Sequence, residues 1–288
     1  FAMDASKDIE QATGGRVKIQ MLPAGAVVPP PQILEAVSSG TLDGGHSIPA
    51  FWFGRNTAFG LYGAGPNFGM DATQLLGWIE HGGGRQLYAD TLAAAKINVA
   101  TFLYGPIPCE PFGWFRKELK TVEDIKGLKY RTSGLSVDMM QALGAVPVQL
   151  APGDIVPSLE RGVIDAAEFA NITDDRLLGF PDVTKFYYLQ SYHQANNVFD
   201  LNFHKPKFDA LPDDVKRLIQ VALDASSSRM TWKAMQRMSD DLIAMQAKDG
   251  VKVLRTPQAI LDAQLEAWTK VIASRSTERA KAPGLRRS

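Results

Sequence analysis

The chain has 288 residues, with 31 acidic and 31 basic side chains and a formal net charge of zero. That length accommodates one large domain or two of ordinary size, and the balanced charge argues against nucleic acid or an anionic membrane surface as a partner. A single cysteine, Cys109, excludes an internal disulfide, and no stretch is long and apolar enough to span a bilayer as a helix.

The first segment, FAMDASKDIEQATGG, has a helical pattern closed by Gly14 and Gly15 as a C-cap signal. RVKIQML alternates as a half-buried strand. PPPQILEAVSSGTLDGGHSI reads as a Pro-led helix, a glycine stop and a short strand. This β-α-β rhythm predicts a parallel or mixed sheet with helices on its faces. The aromatic and glycine-rich FWFGRNTAFGLYGAGPNFGM is a long connection of the kind that carries function. Phe51 and Trp52 within it, and Tyr104 in the strand INVATFLY, are either pocket-lining residues or plain core. DATQLLGWIEHGGGRQLYADTLAAAK is helical on both sides of its triple glycine.

The run from Pro108 to Asp175 is the most informative. An apolar strand ends at Glu110, a second strand carries Arg131 after the helix-capping punctuation KTVEDIKGLKYR, and a third, VIDAAEF, ends at Glu168. Three charged residues therefore fall at or near the ends of separate strands of one sheet, where open α/β sheets bind ligands. Farther on, Val215, Leu218, Ala222, Met235, Met238, Leu242 and Met245 keep helical spacing on either side of SSSR. One continuous helix from Pro212 to Gly250 would run roughly 55 Å; the alternative is two shorter helices broken at Ser226–Ser228.

Arg131 offers a planar guanidinium matched to a carboxylate, although a surface salt bridge would use the same residue. Glu168 closes an apolar run, so its carboxylate is paired, hydrated or bound to a metal. Cys109 beside Glu110 lacks a nearby histidine to act as base and reads as a small buried thiol. HGGGR follows no strand, which removes it as a phosphate loop, and the four histidines show no pairwise metal spacing.

The motifs GWFRKEL, DIKGLKYR, GDIVPSLERGVIDAAE and FDALPDDVK, in this order, resemble the substrate-binding receptors of TRAP transporters. The likeness is to the group that holds 2-oxo or 2-hydroxy acids together with a metal ion, and it runs from ATGGRVKI to LEAWTKV. It implies an α/β fold of the two-lobe periplasmic binding protein type, with crossing strands and a long helix spanning both lobes. Lobe I would comprise residues 1–107 and lobe II residues 108–202. Residues 203–288 would form a return strand, the long helix and C-terminal helices packing on both lobes. In the family a leader and a first strand precede the first helix, so an N-terminal piece is expected to be missing here.

The resemblance further implies that Arg131 binds the ligand carboxylate. Glu168 and the main-chain carbonyl of the next residue, commonly Trp and here Phe169, would coordinate the metal. Glu110 stands where relatives tend to carry a neutral glutamine, and Gln194, in SYHQANN, where they often carry an acid. The implied receptor is periplasmic, captures an acid such as pyruvate or lactate, and delivers it to TRAP membrane subunits. It would be a monomer or weak dimer, since the family's swapping C-terminal helix gives way here to KAPGLRRS. Glu110, Glu168 and the ligand carboxylate against Arg131 sum to minus two, so a divalent ion is expected, calcium ahead of sodium. An all-oxygen ligand set also favours calcium over zinc. Two rivals use other classes of function: a metal-dependent lyase or hydrolase acting on a small 2-oxo acid through the same carboxylates, and a sugar or amino-acid binder of the ABC type.

Overall fold

A computed structural model describes residues 1–66, 70–107, 110–194 and 196–281; Cys109 lies outside them. Among the described residues nine strands follow in chain order: β1 (Gly44–Ser47), β2 (Val99–Ile107), β3 (Gly113–Phe115), β4 (Lys129–Arg131), β5 (Val146–Val148), β6 (Ala166–Ala167), β7 (Phe186–Tyr188), β8 (Asn197–His204) and β9 (Lys252–Leu254). The chain divides into two compact units, residues 1–109 with 196–237 and residues 110–195 with 238–288. The stretch from residue 203 onward is thus shared between them.

In the first unit β8 lies between β1 and β2, antiparallel to both. Strand alternation sends Phe102 and Tyr104 to one face, where they pack with Ala5 and Ile9 of the helix Ala2–Ala12 and with Ile219 and Leu223. Leu103 and Val198 face the other way, into Trp52, Phe59, Leu75 and Tyr88. RVKIQML forms no strand among the described residues. Its alternation is nonetheless used: Val17 and Ile19 pack against the first of these cores. The period-two pattern reports burial of one side of an extended chain, and burial does not require a hydrogen-bonded neighbour.

The second unit holds a six-stranded sheet in the order β5-β4-β6-β3-β7-β9. β4 runs parallel to both β5 and β6, whereas β3 runs antiparallel to β6 and β7. Its core gathers Trp114, Ile155, Leu159, Ile164, Phe180, Tyr187, Met245 and Val251. The strand expected over VIDAAEF shortens to Ala166–Ala167 because the Val163 and Ile164 N–H groups both turn back to the Ser158 carbonyl, closing the helix Pro152–Glu160.

The long helix is continuous from Asp213 to Ala247. SSSR is absorbed rather than broken: Ser226 and Ser227 are buried. The Ser227 hydroxyl donates to the Leu223 carbonyl one turn back (2.8 Å) and accepts the Gly105 N–H (2.9 Å). Helical residues through Arg237 belong to the first unit and those from Met238 to the second.

One glycine is required by close approach. Gly113 opens β3 at φ +107°, and a Cβ there would lie 2.3 Å from the Ala167 carbonyl oxygen. Gly113→Ala is expected to cost about 1–3 kcal/mol for the backbone conformation alone, with the clash added. Urea unfolding measures this; a midpoint equal to that of the unsubstituted protein would show that β3 and β6 can separate freely.

Candidate functional site

The topology of the second sheet gathers the charged residues at one edge. Arg131 lies opposite Ala167 across the parallel β4–β6 pair, so Glu168 emerges one residue beyond the level of Arg131. β3 is antiparallel to β6 with Trp114 opposite Ala167, so the chain that enters β3, carrying Glu110, starts from that same edge. β7 is antiparallel to β3 and ends at Tyr188, which brings residues 189–194 there as well.

Arg131, Glu110, Glu168 and His193 are all buried, with 8%, 4%, 2% and 0% of their surface exposed. Ligand atoms of Glu110, Glu168 and His193 lie within 4.8 Å of one another. Arg131 Nη1 donates to the Glu168 carbonyl (2.8 Å) and to its Oε1 (3.2 Å). The Leu150 carbonyl accepts from both Nε and Nη2 (3.3 Å each). The guanidinium is thus held along its side edge and beside Glu168 by the protein itself. It also stands 5.9 Å from the centre of the Phe169 ring, within cation–π range. Lys129, two residues earlier on the same strand, is exposed.

The two carboxylates are driven apart in pKa. Burial raises the Glu110 pKa well above the usual carboxylate range, and the Glu168 charge and the hydrogen bond between the two add to this, against Arg131. Burial pushes Glu168 the same way, but Arg131 and the hydrogen bond from Glu110 outweigh it and hold its pKa low. The proton therefore sits on Glu110 and the charge on Glu168. His193 is held neutral by its burial, which lowers its pKa to about 4. With Arg131 counted, the cluster is neutral without any ion.

His193 was not legible as a metal ligand, because its partners lie far away in sequence. It comes with a support of its own. The Ser136 hydroxyl donates to its carbonyl (2.8 Å), and its Nδ1 bonds Ser191 Oγ (2.7 Å). Nε2 is buried without a hydrogen-bond partner among the described residues. An imidazole nitrogen thus stands close to the two carboxylates, beside the oxygen ligands expected from the sequence. Gln194, the next residue, is buried in the same unit.

The donor set fits a cation. Two carboxylates and an imidazole, mutually close and cut off from water, are what a divalent ion uses as ligands. In the first unit the three aromatic candidates differ. Trp52 is buried and its Nε1 donates to Asp200 (2.7 Å), a carboxylate that also accepts the Tyr88 hydroxyl (3.0 Å). The Tyr104 hydroxyl is buried with no hydrogen-bond partner, and Phe51 is half exposed.

Asp175, in the helix Ile172–Leu178, braces this edge from below. Its Oδ2 accepts Trp114 Nε1 (2.9 Å) and the Tyr187 hydroxyl (3.3 Å), which links β3 to β7. Burial raises its pKa to about 7 despite the hydrogen bond from Trp114. Between pH 4 and 7 the folded protein holds a proton here that the unfolded chain does not. Stability therefore falls as pH rises through this window, by up to ~1.4 kcal/mol per unit, and the loss is complete above pH 7. Urea unfolding from pH 5 to 7 is expected to show this slope reduced in Asp175→Asn; identical slopes would overturn the assignment.

Residues 2–278 match the bacterial extracellular solute-binding protein family 7. The chain is 33% identical over 263 residues to the monocarboxylate 2-oxoacid-binding periplasmic protein all3028 of Nostoc sp., covering 91% of this chain and 71% of that one. Among solved structures, it is similar to a TRAP transporter solute-binding protein from Bordetella bronchiseptica that holds calcium and picolinate. The TM-score there is 0.89 at 32% identity, with 98% of this chain and 84% of the other covered. A Colwellia psychrerythraea TRAP periplasmic protein with calcium and pyruvate is similar at TM-score 0.86 and 26% identity, over 96% of this chain and 84% of that one. A Pseudoalteromonas atlantica counterpart with sodium and pyruvate gives 0.87 and 27%, over 96% and 83%.

Proposed function

This chain belongs to the bacterial extracellular solute-binding protein family 7 and is a solute receptor rather than an enzyme; from that premise we propose that it captures a small 2-oxo or 2-hydroxy carboxylate, such as pyruvate or lactate, together with a divalent cation. The observation that carries this reading is the buried cluster of Glu110, Glu168 and His193 beside Arg131. The relatives bind 2-oxo acids or picolinate, each of which places a second donor next to its carboxylate, and in three solved relatives the acid accompanies calcium or sodium. The lyase or hydrolase and ABC-type alternatives give way to this family assignment.

Arg131 is the carboxylate anchor in this reading. Nε and Nη2 reach Leu150 and Nη1 reaches Glu168, so the acid meets the remaining Nη2 N–H and takes over the Glu168 Oε1 bond on Nη1 when the cation draws that carboxylate away. Glu168, the Phe169 carbonyl, Glu110 and Gln194 are the proposed cation ligands. The Phe169 ring takes the place of the family's indole and shapes the pocket wall beside Arg131. Phe51, Trp52 and Tyr104 are the first unit's candidates for contacting the acid, with the Trp52 N–H already committed to Asp200. The setting is periplasmic and the receiving partner is the pair of TRAP membrane subunits; no helix among the described residues is long and apolar enough to cross a membrane.

Calorimetry with pyruvate, lactate and aromatic 2-oxo acids, with and without calcium, tests the reading. Arg131→Lys is expected to weaken acid binding by about 2–5 kcal/mol, because a point charge cannot reproduce a two-pronged bond. A lysine variant that binds like the unsubstituted receptor would remove Arg131 from the site.

The cation follows from charge. When a divalent ion displaces the carboxyl proton, Glu110, Glu168 and the acid contribute three negative charges, against one positive charge on Arg131 and two on the ion. Sodium balances the site only where Glu110 keeps its proton; with Glu110 ionised it would leave one negative charge uncompensated, worth roughly 4 kcal/mol at 4 Å and an effective dielectric near 20. Elemental analysis of protein prepared without chelator is expected to find calcium or another divalent ion. Glu110→Gln is expected to weaken calcium binding and shift preference toward sodium; full acid binding in EDTA would sink the proposal.

A further inference from the structure

The histidine in the cluster carries information about its own protonated nitrogen. Gln264 lies on the C-terminal helix Gln258–Lys281, and its Oε1 accepts the Tyr192 backbone N–H at 2.7 Å. A backbone N–H can only donate, so the amide oxygen, and not its nitrogen, must face that loop. The same Oε1 lies 3.1 Å from Ser191 Oγ. An amide oxygen can only accept, so the Ser191 hydroxyl gives its one proton to Gln264. Ser191 Oγ is then left as an acceptor, and it takes the His193 backbone N–H (3.2 Å) and His193 Nδ1 (2.7 Å). Nδ1 must therefore carry the proton. In a neutral imidazole, Nε2 is then the nitrogen with the bare lone pair, and this is the buried atom with no hydrogen-bond partner among the described residues.

Trp268 Nε1, one turn farther along the same helix, donates to the Tyr192 carbonyl (2.6 Å), so both sides of Tyr192 are pinned. A histidine whose tautomer is set by a hydroxyl, itself oriented by an amide fixed by a backbone N–H, is built as metal-ligating histidines are supported. The companions within 4.8 Å are two carboxylates.

We propose that His193 Nε2 is a ligand of the cation held by Glu110 and Glu168, with Ser191 and Gln264 as positioning residues. The site is then a mixed nitrogen and oxygen site that takes manganese and other first-row divalent ions at least as tightly as calcium. An all-oxygen site suits calcium; one imidazole shifts the balance toward ions that accept nitrogen, whose affinities for such donors exceed that of a hard cation. This inference rests on the reading of Glu110 and Glu168 as cation ligands.

Manganese is both the probe and the reporter. The full chain, stripped with chelator and dialysed, is titrated with manganese and separately with calcium by calorimetry, and the manganese-loaded protein is examined by pulsed electron paramagnetic resonance for hyperfine coupling to a directly bound nitrogen. Expected are manganese binding no weaker than calcium binding, a nitrogen coupling in the unsubstituted protein, and loss of that coupling in His193→Gln, with manganese affinity falling more than calcium affinity. Ser191→Ala, which frees the tautomer, is expected to lower manganese affinity about 10–100-fold, and Ser191→Thr, which keeps the hydroxyl, to retain it. Manganese bound without a nitrogen coupling, in a manner that still depends on Glu168, would overturn the inference and leave the cation site standing. No binding of either ion would overturn both. The spectrum of the unsubstituted protein decides the matter even where a variant fails to fold.

Discussion

Glu168 ends β6 with 2% of its surface exposed and carries a charge, and a charge so placed costs several kcal/mol unless it is answered. The edge of the second sheet is arranged around that answer. Arg131 comes from the neighbouring parallel strand at almost the same level, and the Leu150 carbonyl after β5 turns its guanidinium toward the carboxylate. Glu110, brought in at the head of β3, keeps its proton and donates to Glu168 instead of competing with it. Gly113 allows that approach, since any side chain there would meet the Ala167 carbonyl. The ligand-free cluster is consequently neutral, which permits it to be buried at all. It is also poised, because one cation-for-proton exchange and one arriving carboxylate alter the balance by whole charges.

What could be read from the sequence follows from how local each signal is. Arg131 and Glu168 were legible because a strand end is marked by its own neighbours: the apolar run, the capping punctuation and the charged residue that closes it. The continuous helix was legible because its period survives the serines, which satisfy themselves one turn back. RVKIQML was misjudged because alternation encodes one buried side, and a hydrogen-bonded partner is a property of the rest of the fold. His193 was passed over for the same reason on a larger scale. Its companions Glu110 and Glu168 lie many residues upstream, and only the antiparallel course of β3 and β7 brings the three together. Motif spacing detects ligands that share a helix or a loop, and these share only a sheet edge.

The aromatic candidates divide according to what their polar atoms are doing. Trp52 and Tyr104 carry the same two readings in the sequence, pocket wall or core; the Trp52 N–H is taken up by Asp200, a second buried carboxylate that also accepts the Tyr88 hydroxyl. The Tyr104 hydroxyl is buried with no hydrogen-bond partner among the described residues. Buried polar atoms are nearly always paired, so an orphan hydroxyl says more about a ligand than aromatic character does. No sequence pattern distinguishes the two cases, since the partner of Trp52, Asp200, lies 148 residues away.

The division of the chain also dictates when each part can be finished during synthesis. Neither unit is contiguous: the first waits for β8 and the front of the long helix, and the second for the rear of that helix, β9 and the C-terminal helix. A nascent chain that has emerged only as far as residue 195 has every strand of its second sheet except β9, yet lacks the residues, Gln264 and Trp268, that pin the loop around His193. Domains ordinarily fold as they leave the ribosome, N-terminal first, and contacts of such wide sequence separation form late and slowly. The second unit therefore stays open until the C-terminal helix has been made, and the loop around His193 is among its last parts to settle.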